Sequence, residues 1–307
     1  MFVHHDEIEP LLQSVIGMQV RLFDYRVVNQ HLDYCVLKAS LRHPNIDVVV
    51  KLAGPEAQMA SQFDRTVAIH RLVADSTTIP QPDIIATDIT LQSWPWRYLI
   101  LASVPGVEWA DLRHYLSEEE LSSAYRQLGE AVGQMHQIAF PAFGEIDSRG
   151  QVAQRVPDFV SAIRMRALQL IHNSQHCQLA LEAIEQHSDY FRSVKASRLS
   201  HEDLHGHNIL FSQESGVWRL AAVLDFDKAW AGHAEIDLSR LELWRGMTAP
   251  DFWAAYLTLQ IRDDDYVRRR PIYQLLWCLE YASPTPQHLS DTRQVCQELG
   301  LSVIPEF

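Results

Sequence analysis

The chain of 307 residues is long enough to bury one large core or two lobes, and its 47% hydrophobic and 21% charged residues are ordinary for a globular protein. A formal net charge of −13 argues against a nucleic-acid partner, which favours a basic face, and is compatible with a cationic small-molecule substrate, since acidic clefts concentrate cations. No run has the apolar length of a bilayer span, the acidic N-terminus lacks a secretion-signal pattern, and four scattered cysteines (Cys35, Cys177, Cys278 and Cys296) suggest reduced thiols, so a cytoplasmic protein with no membrane partner is expected.

The first part of the chain reads as β-rich. Strands are predicted over 20–28, 34–41 and 47–52, with a polar turn at Asn29–Asp33 and another at His43-Pro44-Asn45. A helix follows over about 56–74, ended by Pro80 and Pro82. A further strand pair, 83–87 and 97–101, leads into Ala102-Ser103-Val104-Pro105-Gly106. From Ser117 the pattern turns helical: Ser117 and Glu120 make a capping-box signature ahead of Leu121, Leu128, Val132 and Met135. More helices are predicted over 158–173, 176–195, 250–262 and 271–283. The expected architecture is α+β, with a small β-rich lobe (1–103) and a larger helical lobe (104–307).

The helical part is interrupted at 199–240, where the chemistry is concentrated. His201, Asp203 and Asn208 stand in an H-x-D-x-x-x-x-N frame, and Asp225 follows at the end of an apolar run. Phosphoryl transfer needs this set: a carboxylate to orient and deprotonate the attacking hydroxyl, and an amide and a carboxylate to hold magnesium. The work is positioning and charge stabilisation, so a few side chains at the right spacing carry the signal.

The same letters, His201-Glu202-Asp203-Leu204-His205, also satisfy H-E-x-x-H, the zinc-hydrolase motif. That motif requires a helix, which places residues i and i+4 on one face. Gly206 and two apparent strands, 209–211 and 221–224, around a turn at 212–216 argue for a loop and hairpin instead.

With its loop, hairpin and lobe order, the chain resembles the aminoglycoside phosphotransferase (APH) family of small-molecule kinases over about residues 20–285, most specifically at 199–240. The resemblance implies a two-lobed protein-kinase-like fold, ATP or GTP as phosphate donor, Mg2+, and a small hydroxyl-bearing acceptor. It implies Asp203 as catalytic base, His201 as support of its loop, and Asn208 and Asp225 as metal ligands. Asp237, in the Gly232 to Asp237-Leu238 segment, is implied as structural support. Leu99 to Gly106 is similar to the family's hinge, implying main-chain contacts to the nucleotide base at Ala102 and Val104. Lys51, ending the third strand before the helix, stands at the place of the phosphate-binding lysine, with Lys38 as competitor. The acceptor stays open between an antibiotic, such as an aminoglycoside or macrolide, and a metabolite such as choline, homoserine or a sugar.

Some features depart from that pattern. The first turn has no glycine to let the backbone approach phosphates, so Asn29 and His31 are candidate substitutes. Where the family places a helix Glu to pair with the lysine, this chain has Arg65 beside Asp64. These departures keep open a non-catalytic kinase-like nucleotide-binding protein. Glu202 adds a negative charge near the site or points into the helical lobe. His205 and His207 are read as loop packing, and Asp227 is assigned no role. Trp230, Trp244, Trp253 and Trp277 are read mainly as core, while Asp263, Asp264, Asp265 and Glu280 are candidate anchors for a cationic acceptor.

Overall fold

The structure is a computed structural model describing residues 4–31, 33–57, 63–281 and 285–301. Its N-terminal part is a five-stranded antiparallel sheet in the order β1-β2-β3-β5-β4. The strands are β1 (Arg21–His31), β2 (Tyr34–Arg42), β3 (Ile46–Ala53), β4 (Ile84–Asp88) and β5 (Arg97–Ala102). Strand β2 alternates half-buried and buried residues, as expected where one face meets a core. Cys35, Leu37, Ala39 and Leu41 of β2 point to the face covered by helix α1 (His5–Ile16) through Ile8, Leu11 and Leu12. Each of those three side chains is fully buried, contributing about 1.5–3 kcal/mol. Helix α2 (Phe63–Ser76) covers the other side, where Phe63 and Val67 pack with Ala53, Leu99 and Leu101.

The structure corrects several expected boundaries. Asn29, Gln30 and His31, expected in a turn, are strand residues paired with Val36, Cys35 and Tyr34. Of that turn, Leu32 lies outside the described residues. Asp33 folds back, its carboxylate accepting the Glu56 N–H at 3.0 Å and lying where any β-carbon on Gly54 would sit. Gly54 is therefore required by the close approach. The helix expected from residue 56 is not present at 56–57, and 58–62 lie outside the described residues. Helix α1 was not expected, because Pro10 and its short apolar stripe mask the helical period.

After β5 the chain enters the helical part through β6 (Val107–Glu108) and α3 (Trp109–Leu112). Helix α4 (Glu118–Met135) begins with the expected capping box: Glu120 Oε2 accepts the Ser117 N–H at 2.9 Å and Ser117 Oγ accepts the Glu120 N–H. Beyond β7 (Ala139–Phe140), helices α5 (Phe159–Leu170) and α6 (Ser174–Gln186) are shorter than predicted. Strand β8 (Ser197–Ser200) leads into the 201–208 loop, and β9 (Ile209–Glu214) with β10 (Val217–Val223) forms the hairpin. Its turn is two residues rather than five: Ser215 and Gly216 both take positive φ, the geometry a tight hairpin requires. After β11 (Trp230–Gly232) come α7 (Ala234–Leu243), α8 (Pro250–Leu259), α9 (Tyr266–Glu280) and α10 (Pro286–Glu298). Helix α9 starts five residues before the predicted 271, with Pro271 inside its first two turns.

Two cores flank the loop and hairpin. One joins Leu128 and Val132 of α4 and Phe252 and Tyr256 of α8 to Leu204, Ile209, Phe211 and Phe226. The other joins α5, α6, α9 and α10 through Phe159, Ile163, Ile184, Ile272, Cys278 and Cys296. The four cysteines are buried and unpaired. No helix of the described residues is long and apolar enough to cross a membrane.

Candidate active site

The 201–208 segment is a loop ending in a single 3-10 turn, Gly206–Asn208. Its geometry follows from a buried scaffold. Asp237, on α7, accepts the His201 N–H at Oδ2 and the Glu202 N–H at Oδ1, both at 2.8 Å, and its Oδ2 lies 3.1 Å from His136 Nε2. His136 in turn meets the Tyr256 hydroxyl at 3.0 Å. Burial alone would raise the Asp237 carboxyl, but these partners outweigh it and hold the group below the ordinary carboxylate range. The support role implied for Asp237 thus has a concrete form: it fixes the backbone entering the loop.

Glu202 takes a left-handed φ of +59° and turns away from the cleft. Its carboxylate receives Arg166 Nε at 2.7 Å and Nη2 at 2.5 Å. Arg166 also donates to Glu145 Oε1 at 2.6 Å and to the Lys228 carbonyl at 2.6 Å. Of the two alternatives for Glu202, the structure selects the one pointing into the helical part.

The zinc reading fails on the same geometry. His201 and His205 are not on a helix. Both His201 ring nitrogens are committed, Nδ1 accepting the Asp203 N–H at 3.2 Å and Nε2 donating to the Leu224 carbonyl at 2.9 Å. His205 stacks on Trp244, with ring centroids 5.1 Å apart, and burial lowers its basicity. His207 faces outward to Glu108, 2.6 Å away. The role of both histidines is packing and loop contact.

Asp203, Asn208, Asp225 and Lys51 come together from three segments: the 201–208 loop, the chain after β10, and β3. Asn208 Nδ2 donates to the Asp203 carbonyl at 2.8 Å, which leaves the amide oxygen as its donor for a cation. The Asn208 carbonyl accepts the Leu224 N–H at 2.8 Å, tying the loop to the residue before Asp225. Asp225 itself adopts a left-handed conformation, φ 63° and ψ 63°, at the end of β10. Lys51 Nζ donates to Asp225 Oδ1 at 2.8 Å and to Asp227 Oδ2 at 2.7 Å. Burial alone would make Lys51 less basic, but the two carboxylates more than compensate and hold its ammonium charged. The competitor, Lys38, pairs with Asp47 at 3.7 Å on the neighbouring strand.

The oxygen donors present suit a hard divalent cation: the Asp225 carboxylate, 39% exposed at its side chain, and the Asn208 amide oxygen. Burial would raise the Asp225 carboxyl, but Lys51 lowers it.

Sequence reasoning missed three residues. Asp227 is buried between Lys51 and Thr66, whose Oγ1 donates to Asp227 Oδ1 at 2.8 Å. Arg65 reaches across to the carbonyls of Asp227 and Ala229 and to Glu145 Oε2 at 3.0 Å. Lys228 Nζ donates to Glu280 Oε1 at 2.7 Å and lies 3.7 Å from Asp203 Oδ1. The one signal for them was the Asp225-Phe226-Asp227 alternation, in which Phe226 packs beneath His201 with centroids 4.7 Å apart. Asp64, beside Arg65 at the position of the family's helix carboxylate, does not reach the lysine: its Oδ1 accepts the Arg65 N–H at the start of α2, and Lys51 turns to the 225–227 segment.

At the segment joining the two parts, the Ala102 N–H donates to the Asp83 carbonyl at 2.9 Å and the Ser103 N–H to the Asp47 carbonyl at 2.9 Å. Any contact to a ligand at Ala102 therefore has to use its carbonyl. Of the four acidic anchors expected for a cationic acceptor, three are already paired: Glu280 with Lys228 and Arg240, Asp263 with Arg269, and Asp265 with Arg268, while Asp264 is exposed.

A five-stranded sheet with its helix, joined to a helical part that carries this loop and hairpin, defines the kinase-like phosphotransferase fold. The model of the APH phosphotransferase enzyme family matches residues 34–272, and the chain belongs to that family of small-molecule kinases. Among solved structures it is similar to the aminoglycoside phosphotransferase APH(4)-Ia (18% identity, 97% of each chain, TM-score 0.66). It is also similar to a protein described as a fructosamine-3-kinase from Haemophilus somnus 129PT (16% identity, 96% of this chain and 97% of that chain, TM-score 0.68). A third is the spectinomycin phosphotransferase APH(9)-Ia, solved with ADP and spectinomycin (14% identity, 91% of this chain and 86% of that chain, TM-score 0.60). No match was found among curated proteins.

Proposed function

We propose that the protein transfers the γ-phosphoryl group of ATP or GTP to a hydroxyl of a small molecule. The observation that carries this reading is the meeting of Lys51 with Asp225 across 174 residues of sequence, at 2.8 Å, beside the loop that holds Asp203 and Asn208. Both nucleotides are retained because APH(4)-Ia has been solved with AMP-PNP and hygromycin B, and APH(2")-IIia with GDP and kanamycin.

In this reading residues 1–103 bind the nucleotide and residues 104–307 carry catalysis and the acceptor. The Ala102 carbonyl and Val104 N–H meet the base, and Lys51 clamps the phosphates. Asn208 and Asp225 hold Mg2+, which when bound neutralises charge on the phosphate oxygens. Asp203 accepts a hydrogen bond from the acceptor hydroxyl and orients it in line with the γ-phosphorus. As the new O–P bond forms and the bond to the β-phosphate oxygen breaks, the hydroxyl proton passes to Asp203 and the nucleoside diphosphate leaves. His201 acts by holding the Asp203 backbone.

The pairing of Glu280 and Asp263 bears on the acceptor. Neither presents an uncompensated charge, so recognition through hydroxyl groups and the Trp244–Trp277 aromatic wall carries more weight than attraction of a polycation. The test is a magnesium-dependent phosphorylation screen with ATP and GTP separately, over aminoglycosides, macrolides, choline, homoserine and sugars. A phosphorylated product from wild type and none from Asp203→Ala supports the reading; equal product from both overturns it.

A further inference from the structure

A lysine that clamps phosphates needs a carboxylate to hold its long side chain in place, one that stays with it when ligand enters. Lys51 has two carboxylate partners, and their environments differ. Asp225 faces the cleft, 39% exposed, and is the one placed to serve a cation with Asn208. Asp227 is nearly enclosed, with 11% of its side chain exposed. Both of its oxygens are already engaged by the protein, Oδ2 by Lys51 at 2.7 Å and Oδ1 by Thr66 Oγ1 at 2.8 Å. Its backbone is held too, since Arg65 Nη1 donates to the Asp227 carbonyl at 3.1 Å. Helix α2 therefore meets the lysine without a carboxylate of its own. It supplies a hydroxyl and a guanidinium that grip Asp227 from behind.

We propose that Asp227 is the positioning residue of Lys51, a carboxylate supplied by the segment after Asp225 in place of one on α2. The inference rests on the phosphotransfer reading. It gives the two aspartates separate work. Asp225 can turn to a cation and leave Lys51 oriented, because Asp227 alone balances the ammonium and Thr66 with Arg65 prevents Asp227 from following. It also links α2 to the site: any displacement of the helix moves Thr66 and Arg65, hence Asp227, hence the lysine.

The experiment is a double-mutant cycle on the full chain, read as affinity for MgATP and MgGTP by calorimetry. Wild type is measured first; binding of neither nucleotide would remove the phosphotransfer reading itself. Asp227→Asn keeps the shape of the side chain and an oxygen for Thr66, and thermal melts confirm that it folds. It is expected to weaken nucleotide binding at least tenfold at saturating magnesium, and by less than twofold when introduced into Lys51→Met. A loss of equal size in both backgrounds, or one abolished by more magnesium, would make Asp227 a metal ligand and overturn the proposal. Unchanged affinity in Asp227→Asn, with Lys51→Met impaired, would overturn it while leaving the phosphotransfer reading intact.

Discussion

The Leu224 carbonyl accepts the Nε2–H of His201 at 2.9 Å, tying the residue before Asp225 to the residue two before Asp203. The other ring nitrogen accepts the Asp203 N–H, so the bonding pattern assigns a neutral imidazole with its proton on Nε2. One side chain thus sets the spacing between the proposed base, Asp203, and the proposed metal ligand, Asp225. Replacing His201 by alanine should lower both functions together: at least a tenfold loss in magnesium-dependent nucleotide affinity and in turnover. Loss of turnover with intact affinity would show that His201 serves Asp203 alone.

Asp203→Ala separates chemistry from binding. In the proposed reading the phosphate and metal contacts lie on Lys51, Asn208 and Asp225, so nucleotide affinity should stay within about twofold while kcat falls by about 10²–10⁴-fold, the usual worth of a general base. Steady-state kinetics with the acceptor found by screening, alongside nucleotide titration, make the comparison.

For Asp225→Ala the pattern reverses. Affinity for nucleotide measured in magnesium should drop toward the value that wild type shows in EDTA, and the two variants of condition should become indistinguishable. A persisting magnesium effect of wild-type size would remove Asp225 from the metal site.

Asp237→Ala should act on stability. It strips an acceptor from the His201 and Glu202 N–H groups and from His136, all buried, at a cost of about 3–5 kcal/mol. Because the folded carboxyl titrates below the ordinary range, its contribution is complete above an unfolded value of about 3.9 and is lost as pH falls through the lower folded value. Denaturant melts should therefore show the full gap between wild type and variant at neutral pH and a narrowing gap in strong acid.

Much of the candidate site was legible because its spacing is local. His201, Asp203 and Asn208 lie within one loop, and a hairpin fixes Asp225 relative to Asn208, so covalent geometry alone brings them near one another. Strands β2, β3 and β5 and the Ser117 cap were likewise readable, each from a period or a cap contained in a few residues. What escaped was decided by residues far apart in sequence. The partner of Lys51 depends on how α2 sits against the 225–228 segment, and nothing within α2 indicates that Thr66 and Arg65 face Asp227 while Asp64 bonds its own helix. The direction of Glu202 depends on Arg166, 36 residues earlier on α5. Local pattern determined which groups this protein has for phosphoryl transfer. Tertiary packing decided which of them pair, because a buried charge settles on whichever opposite charge the fold brings to hydrogen-bond distance.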